Sequence, residues 1–234
     1  MRAKIIAEIG QNFDGSLSLA KELICAASES GADVAKFQVF DAKALFSQEN
    51  NPWYEYNLRN ELNFGQLEEL AQECINLGIE FMASAFDPLR VSWLESLGVK
   101  SHKLASRSIG DKQLSNAMLS TGKPVLVSLG MWKEKSFPNW LTSNNTQFLH
   151  CISEYPTPLN KVKLGDINFM EYAGFSDHTI GIEAAFIAIA RGARIIEKHF
   201  TLDKNAFGPD HKGSMNPEEL LAISKFSRSV DICL

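Results

Sequence analysis

The chain has 234 residues, with 23 Lys plus Arg against 28 Asp plus Glu, 45% hydrophobic and 22% charged residues. This is ordinary globular composition, long enough for one large core, and a formal charge of −5 argues against a protein built to hold a nucleic-acid backbone. No apolar run approaches the roughly 20 residues that cross a bilayer, and residues 1–10 carry no cleavage pattern, so a cytoplasmic protein without a membrane partner is expected. Cys25, Cys74, Cys151 and Cys233 form no C-x-x-C pair, which excludes the usual zinc spacing and leaves them as buried thiols.

In chain order, a β-rich run at residues 5–8 leads to Leu19, Leu23 and Ala27, spaced four apart and stopping at Gly31, as a helix would. A second strand is predicted over 34–40. The mixed stretch 41–64, with Trp53, Tyr54 and Tyr56, is long enough to form a lid. Leu67, Leu70, Cys74 and Leu77 then predict a helix ending at Gly78, followed by a strand at 81–84. Asp87-Pro88 opens another helix, closing at Gly98, because an acidic N-cap followed by proline suits the first turn.

Strands at 102–106, 124–129 and 148–153 follow, but residues 132–147 and 160–172 hold little helical pattern, so helices five and six should be stunted. The series closes with a strand at 174–178, a helix over 182–191, a strand at 195–200, a loop over 201–215 and a helix opened by Asn216-Pro217-Glu218-Glu219. Eight strands alternating with helices predict a (β/α)8 TIM barrel, one α/β domain over residues 1–234. An open doubly wound sheet lacks support, since no G-x-G-x-x-G follows the first strand.

Residues i and i+2 of a strand share a face, so Lys36 points with Gln38, Ser176 with His178, and Glu197 with His199. Glu8, Ser84, Lys103, Ser106, Ser128, Ser153 and Tyr155 also fall late on strands, where barrel active sites form. His178 and His199 would end neighbouring strands, close enough for two imidazoles to share a divalent metal. Lys36 and Lys103 with the serines suit an anion clamp, or else a lysine forming a Schiff base. His102 reads as a surface or capping residue, and His150 and His211 lack a comparable arrangement.

The runs Ala7-Glu8-Ile9-Gly10-Gln11-Asn12, Ala35-Lys36-Phe37-Gln38, Ser128-Leu129-Gly130-Met131 and Leu149-His150-Cys151-Ile152-Ser153-Glu154-Tyr155-Pro156 carry a resemblance. So do Phe175-Ser176-Asp177-His178-Thr179-Ile180-Gly181, Ile196-Glu197-Lys198-His199-Phe200-Thr201-Leu202-Asp203 and Gly208-Pro209-Asp210-His211-Lys212. In order and over nearly the whole chain, they resemble the N-acetylneuraminate (sialic acid) synthase family.

The resemblance implies a barrel that condenses phosphoenolpyruvate with an N-acylated amino sugar such as N-acetylmannosamine, releasing phosphate, with Mn2+ or Mg2+ assisting. It assigns His178 and His199 to the metal, and Lys36, Ser84, Lys103, Ser106, Ser128 and Ser176 to phosphoenolpyruvate. Gln38, Tyr155 and Asp210 match acceptor-sugar positions, and Glu8 and Glu197 the acidic positions at the reacting centre.

Departures from the family pattern are Phe13 for histidine, Ala83-Ser84-Ala85 for Ser-Thr-Pro, Ser108 for glutamate, Leu129 for threonine, and Ser153 for a longer polar side chain. The family's C-terminal antifreeze-like domain is expected to be absent, with a homo-oligomer and a separately encoded antifreeze-like domain as the protein partners considered. Two other readings are a metal-independent aldolase using Lys36 or Lys103, and a non-catalytic barrel that binds phosphorylated ligands.

Overall fold

Short runs buried on both faces set up eight strands: β1 (Lys4–Gly10), β2 (Val34–Val39), β3 (Glu80–Ala85), β4 (His102–Leu104), β5 (Val125–Ser128), β6 (Thr146–Cys151), β7 (Gly174–Asp177) and β8 (Ile195–His199). All pair in parallel and in sequence order, and β8 returns to β1, so the sheet closes into the expected barrel. The computed structural model describes residues 2–233, so the two end residues of the expected domain lie outside the described residues. Around the barrel lie α1 (Leu17–Glu29), α2 (Ala42–Leu45), α3 (Tyr54–Arg59), α4 (Phe64–Leu77), α5 (Pro88–Ser96), α6 (Lys112–Leu119), α7 (Leu159–Val162), α8 (Glu183–Ala190) and α9 (Pro217–Cys233). Among the described residues no helix is long and apolar enough to cross a membrane.

The helix boundaries follow from their caps. Asn63 and Gln66 exchange side-chain and backbone hydrogen bonds as a capping box at the start of α4, and Gly78 ends that helix at φ 68°. Asp87 accepts from the Arg90 N–H ahead of Pro88, and Asn216 and Glu219 make the corresponding reciprocal pair before α9. As expected, the fifth and sixth crossovers are stunted: a 3-10 turn (Asn139–Leu141) follows β5, and only the four residues of α7 open the crossover after β6.

The barrel interior is layered. Ile6, Val34, Met82, Leu126, Leu149 and Ile195 pack with Ala173 as an apolar plug. Two residues further along their strands stand Glu8, Lys36, Ser84, Ser128, Cys151 and Glu197. The period of two keeps these on the same inward face, so the plug hands over directly to a polar layer. Gly174 lets β7 and β8 approach closely, since a Cβ there would lie 2.0 Å from the Ile195 carbonyl oxygen.

Two sequence expectations fail here. His102 is neither a surface nor a capping residue: it is fully buried outside the barrel, with Nε2 2.9 Å from Glu95 Oε1. The four cysteines are not uniformly buried, because Cys25 is only half-buried and Cys233 is exposed. Cysteine's apolar character favours burial but does not enforce it near the end of an amphipathic helix such as α9.

Candidate active site

The polar layer surrounds a narrow chamber of about 60 Å³ at the C-terminal ends of the strands. Glu8, Lys36, Gln38, Ser84, Lys103, Ser106, Ser128, Tyr155, Ser176, His178, Glu197 and His199 all line it, so the structure gathers the expected site residues there except Asp210 and Ser153, which line the cavity above. Asp210 stands just above, with Oδ2 4.0 Å from His199 Nδ1. The chamber opens into a cavity of about 670 Å³ that Asp210, Asn51, Trp53, Asn57 and Arg107 help to line. The segment expected as a lid therefore contributes to this mouth, and the Trp53, Tyr56 and Phe207 rings, 5.4 to 6.0 Å apart, join it to the loop after β8.

Charges inside the chamber are cross-linked. Lys36 pairs with Glu8, stands 3.5 Å from Glu197 Oε2 and donates to Ser84 Oγ at 3.2 Å. Lys103 donates to Ser128 Oγ at 2.8 Å and to the Leu104 carbonyl at 3.2 Å, with Glu197 Oε1 3.7 Å away. Ser176 donates to Glu197 Oε1 at 2.8 Å, and the Gln38 amide to Glu8 Oε1 at 2.9 Å. Ser106 accepts from the Gly130 N–H at 3.0 Å. Gly10, at φ 56°, turns the chain beside this cluster, where a Cβ would stand 3.3 Å from both Glu8 Oε1 and Gln38 Nε2.

This network fixes protonation. Burial works to raise the pKa of Glu197, but the ammonium groups of Lys103 and Lys36 and the Ser176 hydroxyl outweigh it and hold the carboxyl down at about 2. Burial also opposes the charge on Lys36, yet Glu197 and Glu8 win and keep its pKa above the ordinary lysine value. For Lys103, burial prevails, helped by Lys36, and its pKa falls. The two lysines are therefore unequal: one is locked as a cation, and the other is more easily deprotonated.

The imidazoles of His178 and His199 have ring centroids 5.8 Å apart. His178 Nδ1 lies 2.9 Å from the Ile152 carbonyl, a bond that puts a proton on Nδ1 and makes Nε2 the nitrogen that could hold a metal. His199 Nδ1 is buried without a hydrogen-bond partner, and burial lowers the pKa of its ring, favouring the neutral form that a metal needs. Among the described residues no group of three His, Cys, Asp or Glu side chains is placed to hold a metal ion alone. At His178 burial acts the same way, but Cys151 and the Ile152 carbonyl outweigh it and raise the pKa, so an ion held by the pair would displace a proton there and complete its shell with substrate or water. Tyr155 covers the pair, its ring 4.1 Å from that of His178.

Cys151, read from sequence only as a buried thiol, lines the chamber with Sγ 3.6 Å from Ser106 Oγ and 3.8 Å from His178 Nδ1. Its position two residues after the inward Leu149 was the available signal.

A barrel with this chamber narrows the comparison with known proteins. The NeuB family profile matches residues 23–234. The chain belongs to the NeuB family. It is 37% identical to the N,N'-diacetyllegionaminic acid synthase of Legionella pneumophila, an alignment covering 100% of the chain and 74% of that protein. It is 32% identical to the human N-acetylneuraminate-9-phosphate synthase, over 98% of the chain and 70% of that protein. In structure it is similar to the N-acetylneuraminic acid synthetase of Leptospira borgpetersenii, with a TM-score of 0.91 at 30% identity, covering 100% of the chain and 85% of that one. This NeuB-family chain is an enzyme of the sialic acid synthase type.

Proposed function

We propose that the chain condenses phosphoenolpyruvate with an N-acylated amino sugar, N-acetylmannosamine-like, to give a sialic-acid-type 2-keto acid and phosphate. The observation that carries this reading is the gathering in one chamber of two buried lysines, Ser84, Ser106, Ser128 and Ser176, with Glu8 and Glu197 paired to the lysines. Two cations and four hydroxyls suit a ligand bearing both phosphate and carboxylate. The paired carboxylates suit a reaction in which positive charge develops between them.

C3 of the enol ester attacks the acceptor's carbonyl carbon, whose oxygen takes a proton. Positive charge then grows at C2. Glu197, whose carboxyl Lys103, Lys36 and Ser176 hold well below the usual carboxylate range despite its burial, serves as a fixed negative charge beside that centre. Glu8, oriented by Lys36 and Gln38, takes the proton of the water that captures C2. The C2–O bond to the phosphate then breaks as the C2 hydroxyl becomes the keto group, its proton leaving with the phosphate, which stays paired with Lys36 and Lys103. Glu8 returns its proton to solvent in place of the one the acceptor oxygen took up. His178 and His199 would hold a divalent ion, manganese or magnesium, which polarises the acceptor's carbonyl as a Lewis acid. Gln38, Tyr155 and Asp210 line the way in for the sugar.

A Schiff-base reading finds less support. Lys36 is held as a cation by two carboxylates; Lys103, although burial lowers its pKa, is bonded to Ser128 and the Leu104 carbonyl with Glu197 3.7 Å away. The test is phosphate release from phosphoenolpyruvate by the purified chain, with and without Mn2+, across N-acylated hexosamines. Release that needs both acceptor and metal supports the reading; release indifferent to both overturns it.

A further inference from the structure

The outer cavity has one cation that the reaction above does not use. Arg107 follows Ser106 at the end of β4 and lines the cavity with Asp210, Tyr155, Asn51 and Asn57. Its guanidinium stands over the Phe46 ring at 4.9 Å and the Phe86 ring at 5.9 Å. Both rings pack on the fully buried Phe40, at 5.3 and 6.1 Å. This platform, anchored in the core, fixes the guanidinium at the cavity wall.

Its fork of N–H donors is barely used. Arg107 makes one long hydrogen bond, Nη2 to the Leu45 carbonyl at 3.4 Å, and among the described residues no carboxylate lies within ion-pair distance of it. Three other arginines meet carboxylates, Arg2 with Asp33, Arg59 with Asp14 and Arg90 with Asp87, whereas Arg107, like Arg191, bonds among the described residues only to backbone carbonyls. The following residue, Ser108, is buried and neutral, where the resemblance leads one to expect a glutamate. Asp210 lines the same cavity, but among the described residues no ion pair joins it to Arg107, so the guanidinium stands without a partner charge. A sugar entering the cavity strips water from that charge, a cost that hydroxyl groups offset poorly and an anion offsets well.

We propose that Arg107 selects an acceptor bearing an anionic group, phosphoryl or carboxyl, at the end remote from its reacting carbonyl. This deepens the synthase reading and rests on it for the identity of the cavity as the acceptor's. A rigid fork that accepts two oxygens at once favours either group over a neutral hydroxymethyl.

The test compares an N-acetylhexosamine, its 6-phosphate and the corresponding uronic acid, with phosphoenolpyruvate and Mn2+ present, in the original chain and in Arg107→Gln and Arg107→Lys. The expected result is a kcat/KM for one anionic acceptor at least tenfold above that for the neutral sugar. Arg107→Gln should collapse that ratio by ten- to a hundredfold, and Arg107→Lys should restore part of it. The preference should also shrink as salt rises from about 0.05 to 0.5 M, because the charge stands at an open mouth. The 6-phosphate and the uronic acid arms separate the two sources of charge.

A ratio near one, or a preference that Arg107→Gln leaves intact, overturns the proposal while phosphate release still upholds the synthase reading. If no acceptor elicits release, calorimetry with each anionic sugar decides separately: binding that Arg107→Gln abolishes supports the assignment, and absent or Arg107-independent binding overturns it.

Discussion

The carboxylate of Asp177 and the ammonium of Lys198 meet at 3.1 Å, with both side chains fully buried. They face each other across β7 and β8, and each immediately precedes a histidine of the chamber. Lys198 also donates to the Thr179 carbonyl at 2.6 Å, and Asp177 accepts from the Thr179 N–H at 2.8 Å. The pair therefore ties the turn carrying His178 to the strand carrying His199.

Removing one partner leaves the other as a buried, unmatched charge. Asp177→Asn should cost about 3–5 kcal/mol in urea unfolding, and an Asp177→Leu/Lys198→Met double variant should recover most of it. Equal losses in the single and double variants would show that the charge pairing is not what matters.

His178→Ala and His199→Ala should each remove Mn2+-stimulated phosphate release and weaken Mn2+ binding measured by calorimetry. Full activity in either variant would remove the metal assignment. Because His199 also adjoins Asp210, its replacement is expected to raise the acceptor KM as well.

Lys103→Ala should raise the KM for phosphoenolpyruvate at least tenfold, the loss of a charge-assisted hydrogen bond worth about 1.5–3 kcal/mol. The same change deprives Glu197 of the cation that contributes most to holding its carboxyl down, so Glu197 should titrate at higher pH and add an acid limb that the original chain lacks. A pH–rate profile without any new acid limb would separate the charge of Glu197 from turnover.

The pH dependence of stability follows from His102. Burial lowers its pKa despite Glu95, so it is neutral when folded and takes up a proton on unfolding below its ordinary value near 6.5. Stability should thus rise with pH across that window and fall as pH drops through 6.5 toward the folded value. His102→Gln, which keeps a donor for Glu95, should show a smaller fall in urea midpoint between pH 7.5 and 5.5. A fall equal to that of the original chain would place the acid sensitivity elsewhere.

The barrel and most of its chamber were legible because two regularities coincide. A period of two puts Lys36, Glu197 and His199 on an inward face where apolar residues would otherwise stand, and the alternation with helices says which strand end is the mouth. What escaped lies beyond those rules. Cys151 reads as core because its apolar character hides a site position, and His102 was misplaced because its partner Glu95 comes from the helix before it. Arg107 gave no sequence signal, since its meaning depends on Phe46 and Phe86, which reach it from other crossovers.

Closure of β1 on β8 also bears on how the enzyme comes into being. Register pairs Glu8 with His199 and Ile6 with Glu197, so β1 waits for β8, the last barrel strand in chain order, before either edge is satisfied. Until then Glu8 and Lys36 are held without Glu197, and the nascent sheet exposes two unpaired edges. Chemistry and completion of the fold therefore arrive in one step: a chain arrested before residue 195 would be an open, aggregation-prone sheet rather than a slow catalyst.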